Sequence, residues 1–278
     1  MKKLLVLLLV FALAGFAFGC SQSEQAPVDG QDSSELKVVK IGATPVPHAE
    51  ILEFAKPLLK EKGIDLQIEV INDYVIPNNA LAAGDLDANY FQHLPYLEDF
   101  SAENNLDLTW TKKIHFEPLG LYSEKIKSLD EIEEGAEIAV PDDVTNEARA
   151  LLLLQDNGLI KIDEAAGLKA TKKDIIENSK NIEIVELPAE QIPRALSDVT
   201  AAIINGNYAI GAGLSPDKDA IVAELPDSLA ADTYANIVAV KKGDENREDL
   251  KVLDEVLTSP EVKEFIEGNY QGAVVPVF

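Results

Sequence analysis

From residue 36 onward, the chain alternates between short apolar segments with a period of two and longer segments with a helical period. Residues 36–42 (LKVVKIG) alternate with β-branched side chains, which predicts a strand. Residues 49–62 place apolar side chains three and four positions apart, which predicts a helix that ends before Gly63. The other predicted strands are 65–71, 137–140, 182–187, 201–204 and 237–240. The other predicted helices are 78–83, 95–104, 145–157, a short segment containing Arg194 and Leu196, 250–257 and 261–267.

The order of these elements predicts an α/β fold, with a mainly parallel sheet covered by helices on both faces. An extended segment, residues 113–122 (KIHFEPLGLY), separates two blocks of comparable size, and residues 234–240 would return the chain to the first block. We therefore expect two α/β lobes with a cleft between them and two hinge crossings. Lobe 1 would comprise residues 36–117 and 235–278, and lobe 2 residues 118–234.

The first 35 residues have a different character. Lys2 and Lys3 precede an uncharged apolar run, residues 4–18, that is shorter than the ~20 residues of a membrane-spanning helix. The pattern predicts a signal peptide over residues 1–19. Cys20 at the cleavage point resembles a bacterial lipobox, which implies a lipidated (palmitate-bearing) Cys20 and an extracytoplasmic, membrane-anchored protein. An ordinary signal peptide with an incidental cysteine is the alternative. Residues 20–35 are polar and predict a flexible tether.

Composition excludes several functional classes. The chain has 24 lysines and arginines against 49 aspartates and glutamates, a formal net charge of -25. Such a charge repels phosphate backbones, so we expect no nucleic-acid partner. The single cysteine permits no internal disulfide and no multi-thiolate metal site.

The sequence carries no pattern of an enzyme. His48, His93 and His115 lack the HxxxH or HxH spacing of a zinc site, so a metal would require separate segments to converge. Neither a GxSxG nucleophile turn nor a phosphate-binding loop occurs. We expect no catalytic residues, no metal and no cofactor, and we expect His48 to fix the entry of the helix that follows it.

Seven long strings of the chain are unusual: residues 42–52 (GATPVPHAEIL), 73–79 (DYVIPNN), 87–97 (DANYFQHLPYL), 114–122 (IHFEPLGLY), 145–153 (TNEARALLL), 204–208 (INGNY) and 270–278 (YQGAVVPVF). Together, in this order, they resemble the NlpA family of methionine-binding lipoproteins. The resemblance covers essentially all of residues 38–278 and implies a type II periplasmic-binding-protein fold. It further implies a monomer that delivers L-methionine or a related small molecule to the permease of an ABC importer and its ATPase subunit.

A zwitterionic amino acid requires a cation or amide donors for its carboxylate, acceptors for its ammonium and an apolar pocket. Arg149 lies early in a predicted helix, where a guanidinium and the positive helix end can act on one carboxylate. The resemblance implies that Arg149 is that carboxylate ligand. On its own, the pattern leaves open a surface arginine paired with Glu147 or another acid.

Aromatic and imidazole groups are dense in residues 90–96 (YFQHLPY). Ring contacts suit a polarizable thioether, although such clusters are also common in protein cores. The resemblance implies that five side chains line the methionine side chain: Tyr74, Phe91, His93, Tyr96 and His115.

Three asparagines follow or begin predicted strands, where a carboxamide can donate to a carboxylate and accept from an ammonium. The resemblance implies that Asn207 and Asn236 contact the backbone groups of the amino acid, with Asn205 a lesser candidate. Asparagine is also a common turn residue, which is the alternative for each of them.

The predicted function is capture of methionine between two lobes by hinge closure, without catalysis. Alternatives of the same class are a methionine-containing dipeptide, D-methionine or another apolar amino acid as ligand. An alternative of another class is a non-transport surface adhesin.

Overall fold

The computed structural model describes residues 36–226 and 228–278, which belong to one compact unit. The predicted signal peptide (1–19), the lipidated Cys20 and the tether (20–35) lie outside the described residues. In chain order the strands are β1 (Lys37–Ala43), β2 (Ile64–Val70), β3 (Ala88–His93), β4 (Leu108–Phe116), β5 (Gly120–Tyr122), β6 (Glu137–Pro141), β7 (Lys161–Ile162), β8 (Ile175–Glu177), β9 (Glu183–Leu187), β10 (Ala201–Ile204), β11 (Ala220–Ala223), β12 (Asn236–Lys241) and β13 (Val275–Pro276). The α-helices are α1 (Glu50–Glu61), α2 (Ile76–Ala83), α3 (Leu94–Asn104), α4 (Val144–Asp156), α5 (Ile192–Ala195), α6 (Gly206–Gly211), α7 (Pro216–Asp219), α8 (Leu229–Thr233), α9 (Glu248–Leu257) and α10 (Pro260–Tyr270).

The first sheet has the strand order β13-β4-β12-β3-β1-β2. Strand β1 pairs in parallel with β2 and β3, whereas β12 runs antiparallel to β3 and β4. Helices α1, α9 and α10 pack on this sheet through side chains such as Ile41, Leu52, Leu59, Leu253 and Val262, all of which are fully buried. Apolar side chains removed from water in this way supply the main stabilising free energy of the fold.

The second sheet has the strand order β11-β5-β10-β6-β9. Strand β6 pairs in parallel with β9 and β10, and β5 runs antiparallel to β10 and β11. Its core is built around α4, with buried contacts among Leu121, Ile138, Leu151, Leu154 and Ile203. None of the described helices has the length and apolar character that a bilayer-spanning segment requires.

Helix α4 illustrates how local sequence sets an element that positions the site. The Asp143 carboxylate accepts a hydrogen bond from the Asn146 N–H at 3.0 Å and thereby caps the first turn. Apolar residues then recur at helical spacing, and Gly158 adopts φ +73° just beyond the end of the helix. The cap fixes where the helix starts, and hence where the side chains of its first two turns point.

The predicted α/β fold is confirmed, and most predicted elements agree with the observed ones to within two residues. The prediction of a mainly parallel sheet is wrong, because the returning strand β12 lies antiparallel between β3 and β4, and β5 joins the second sheet antiparallel. The extended segment 113–122 divides between strands of the two sheets, β4 and β5. The lobe boundaries themselves stay a prediction.

Candidate functional site

A cavity lies between the two sheets. It is bounded by the end of β3, the first turns of α4, the junction of β10 with α6, and the start of β12. The lining residues are Tyr74, Phe91, Gln92, His93, Tyr96, Glu117, Asn146, Arg149, Asn205, Gly206, Asn207 and Asn236.

The structure brings together eight of the nine predicted ligand contacts. Tyr74, Phe91, His93, Tyr96, Arg149, Asn205, Asn207 and Asn236 line the cavity. His115 is fully buried and does not line it; its ring contacts Glu117, which stands between His115 and the cavity. Sequence reasoning did not single out Gln92, Glu117, Asn146 or Gly206. The role of each residue as a ligand contact stays a prediction.

Arg149 projects from the second turn of α4 and is only 4% exposed. Its Nε and Nη2 donate to the two carboxylate oxygens of Glu224 at 2.9 and 2.5 Å, and Nη2 also donates to the Glu117 carbonyl oxygen at 2.9 Å. The guanidinium carbon lies 4.4 Å from the ring centroid of Tyr234. A surface pairing with Glu147 is therefore excluded, and Nη1 makes no hydrogen bond to the described residues.

The charge of Arg149 is maintained despite its burial. Burial is the largest single influence and lowers the pKa of Arg149. The charge and hydrogen bonds of Glu224, together with smaller contributions from Tyr234 and Glu117, outweigh it, so the pKa lies above the ordinary value. The site thus holds a fixed cation beside the cavity, balanced by a carboxylate on its far side.

Glu117 follows β4 and turns its carboxyl group toward the cavity. His115 Nε2 donates to Oε1 at 2.7 Å, and the backbone N–H of Asn207 also bonds to the carboxyl group. Burial raises the pKa of Glu117, whereas nearby His48 lowers it. The side chain lies against Gly206, where an added Cβ would come within 2.5 Å of the Glu117 Cβ. Glycine at position 206 is therefore what allows Glu117 to occupy this place.

His93 ends β3 and caps α3. Its Nδ1 accepts the Tyr96 N–H at 3.2 Å, so Nε2 carries the proton and donates to Asn146 Oδ1 at 3.0 Å. The same oxygen accepts from Asn205 Nδ2 at 2.8 Å, and Asn146 Nδ2 donates to Asp143. This network joins β3, α4 and β10 across the cavity. Asn205 connects the end of β10 to Asn146 of α4.

Aromatic rings enclose the other side of the cavity. The Tyr74 ring lies 5.7 Å from Phe91, 5.8 Å from Tyr96 and 5.0 Å from Tyr208, measured between centroids. The Tyr74 hydroxyl donates to Asn207 Oδ1 at 2.6 Å. This apolar enclosure, with one polar end, fits a thioether or another unbranched apolar side chain.

His48 holds Asn236 in place. It lies in the turn before α1, and its Nε2 lies 3.0 Å from Asn236 Oδ1, while Nδ1 lies 2.6 Å from Thr44 Oγ1. The prediction that His48 fixes the entry of α1 agrees with its bond to Thr44, four residues earlier. Its bond to Asn236 adds a second role at the cavity wall.

We expect His93→Gln to make the protein less sensitive to acid. Burial, followed by the charge of Arg149, lowers the pKa of His93 from 6.5 to about 3. Between these pH values only the unfolded chain binds the proton, so the unfolding free energy of the wild type falls as the pH falls. The difference between wild type and variant should change by up to about 1.4 kcal/mol per pH unit in this window. Buried carboxyl groups with raised pKa values, such as Glu117, act in the opposite sense but are shared by both proteins.

Urea unfolding of both proteins without ligand, at intervals from pH 6.5 to pH 4, measures this difference. Parallel stability curves would contradict the neutral, buried state assigned to His93.

The chain is similar to several known proteins. The family model described as NlpA lipoprotein matches residues 39–278. A Bacillus subtilis protein named methionine-binding lipoprotein MetQ is 43% identical over 281 residues, covering 100% of this chain and 99% of the relative. The Escherichia coli K12 D-methionine-binding lipoprotein MetQ is 40% identical over 249 residues, covering 88% and 90%. A nutrient-binding protein from Burkholderia cenocepacia, solved bound to methionine, is 44% identical with a TM-score of 0.83, covering 86% of this chain and 100% of that one.

Proposed function

Because this chain belongs to the NlpA lipoprotein family, we propose that it is a substrate-binding lipoprotein that captures methionine and delivers it to an ABC importer. Relatives that are named for methionine, including one solved with methionine bound, support this function over a surface adhesin.

The proposal rests mainly on one observation: a guanidinium, a carboxyl group with an amide beside it, and a group of aromatic rings surround the same cavity. The ligand carboxylate would meet Nη1 of Arg149, and its ammonium would meet the carboxyl group of Glu117 and the Asn207 amide. The thioether would lie among the aromatic rings of Tyr74 and its neighbours. Each charge of a zwitterion thereby has a partner, which is the condition for burying it away from water.

Hinge closure between two lobes is the proposed mechanism. With residues 36–117 and 235–278 as lobe 1 and residues 118–234 as lobe 2, each sheet lies within one lobe. The bonds from Tyr74 to Asn207 and from His93 to Asn146 then connect the lobes across the cavity. A ligand that contacts both lobes stabilises the closed form, which the permease would recognise.

The proposed partners follow from the family. They are the permease and the ATPase subunit of an importer, with the protein itself acting as a monomer. The lipoprotein names of the relatives support an extracytoplasmic location, with Cys20 as the lipid anchor. No catalytic step and no cofactor enter this function.

Mass spectrometry of small molecules released by denaturing the purified Ser21–Phe278 protein tests the ligand. Methionine in near-stoichiometric amount is the expected result, and chiral separation identifies the enantiomer. A dipeptide or a different amino acid in that amount would overturn the methionine assignment while leaving the binding class intact.

Tyr74→Phe should weaken methionine binding about three- to tenfold. The change removes only the hydroxyl that donates to Asn207 Oδ1, and a hydrogen bond of this kind contributes about 0.5–1.5 kcal/mol. Tyr122→Phe is the matched control, because its buried hydroxyl has no partner among the described residues. Calorimetric titration measures both variants, and equal affinities would refute the cross-cavity role of Tyr74.

A further inference from the structure

Two of the three histidines converge on one carboxylate immediately behind the ligand cavity. His48 precedes α1, His115 lies in β4 and Glu117 follows that strand. Their side chains are 1%, 0% and 6% exposed. The two imidazoles and the carboxyl group come from two segments that are distant in sequence. The spacing of these residues along the chain therefore could not predict that they meet.

Each of the three residues places one atom that can bind a metal ion close to those of the other two. Glu117 Oε1 lies 2.7 Å from His115 Nε2 and 3.4 Å from His48 Nε2, and all three atoms lie within 4.8 Å of one another. A tetrahedral ion with bonds of about 2.0–2.2 Å holds its ligand atoms roughly 3.3–3.6 Å apart. Shifts of the side chains by less than about an ångström would therefore form a coordination sphere.

Each of the two imidazoles can move its proton from Nε2 to Nδ1 and still keep the hydrogen bond at Nδ1. To bind a metal, each Nε2 must release its proton and the ring must carry one on Nδ1. His48 Nδ1 lies 2.6 Å from Thr44 Oγ1, and His115 Nδ1 contacts the Tyr90 hydroxyl. A hydroxyl can donate or accept, so both partners can receive an Nδ1–H instead of donating to the ring. Metal-bound histidines characteristically have an outer partner of this kind.

We propose that His48, His115 and Glu117 bind one divalent transition cation of the zinc, cobalt and nickel class. Two imidazole nitrogens and a carboxylate oxygen suit such ions, and the fourth position faces Asn236, whose Oδ1 lies 3.0 Å from His48 Nε2. Glu117 and Asn236 also line the ligand cavity, which gives the ion a route of entry. The proposal does not depend on methionine being the natural ligand.

Calorimetric titration of the metal-free Ser21–Phe278 protein with ZnCl₂, and visible absorption with CoCl₂, test the site. We expect one tight site per chain that is weakened at least about tenfold by His48→Gln and by His115→Gln. Glu133→Gln, at an exposed glutamate outside both sites, is the matched control, and it should bind zinc as the wild type does. Each sample is also titrated with methionine. Binding of methionine without binding of zinc would refute only the metal site, whereas binding of zinc without methionine would refute only the proposed transport function.

Surface carboxylates also bind zinc, so the experiment has to distinguish the proposed site from the acidic surface. Absence of zinc binding, or zinc binding of equal strength in the wild type and in both cluster variants, would overturn the proposal. Both histidines are buried and their replacement weakens the fold, so zinc-edge X-ray absorption on the wild-type complex provides an independent test. Two imidazole ligands are expected, and coordination by oxygen alone would also overturn the proposal.

Discussion

Arg149→Ala is expected to abolish the rise in melting temperature that methionine produces in the wild type. Methionine at about 100 times its dissociation constant should add about 2.7 kcal/mol, which corresponds to several degrees for a chain of this size. The alanine variant lacks the cation that is proposed to meet the ligand carboxylate. Loss of one partner of a buried charge pair typically costs about 2–5 kcal/mol of binding free energy, enough to remove the shift.

The same change also weakens the fold, and the experiment has to separate the two effects. Arg149 pairs with Glu224 at 2.5 Å, and removing one partner of a buried pair costs about 3–5 kcal/mol of stability. The double variant Arg149→Met with Glu224→Gln replaces both members of this pair by uncharged side chains, so it should be more stable than the alanine variant and still show no methionine shift. Arg194→Ala, at an exposed arginine of α5, is the control that should keep the shift. A normal shift in the double variant would refute the assignment of Arg149.

Gly206→Ala is expected to weaken methionine binding by at least about tenfold, or 1.4 kcal/mol. The added Cβ would lie 2.5 Å from the Glu117 Cβ and 2.8 Å from its Oε2, closer than atoms can approach. Glu117 must then move away from the place where it is proposed to meet the ligand ammonium. Calorimetric titration with methionine measures the effect.

Gly211→Ala provides a matched control in the same helix. Nothing lies within 4 Å of a Cβ added there, so affinity should be unchanged and stability should rise by up to about 1 kcal/mol. If both alanine variants bind methionine like the wild type, the placement of Glu117 at the ligand is wrong.

Elements with one buried face could be predicted from the sequence. Helix α4 shows apolar residues at helical spacing and a glycine at its end, and the observed bounds differ from the predicted ones by one residue. Strand β3 could not be predicted, because its six buried residues include asparagine, glutamine and histidine and show neither alternation nor an apolar run. Its polar side chains bond to one another and to α2, as in the bonds of Gln92 to Asn89 and to Asn78. Local patterns contain no sign of such partners.

Some residues of the candidate site could likewise be identified from the sequence, and others could not. The family resemblance identified Arg149, Asn207, Asn236 and the aromatic group, and the structure places them around one cavity. Glu117 was not identified, since one carboxylate among 49 acidic residues carries no signal of its own. A glutamate within an otherwise apolar extended segment is the one feature that marks it. The position of His115 behind Glu117 depends on how β4 pairs with β12, which only the tertiary structure defines.

Calorimetric titration of the ligand-stripped Ser21–Phe278 protein with L-methionine shows whether this chain binds methionine. We expect one saturable site per chain and weaker binding of L-leucine, whose branched side chain lacks the sulfur that contacts the aromatic rings. The absence of saturable heat with methionine, or binding of leucine as tight as that of methionine, would contradict this expectation.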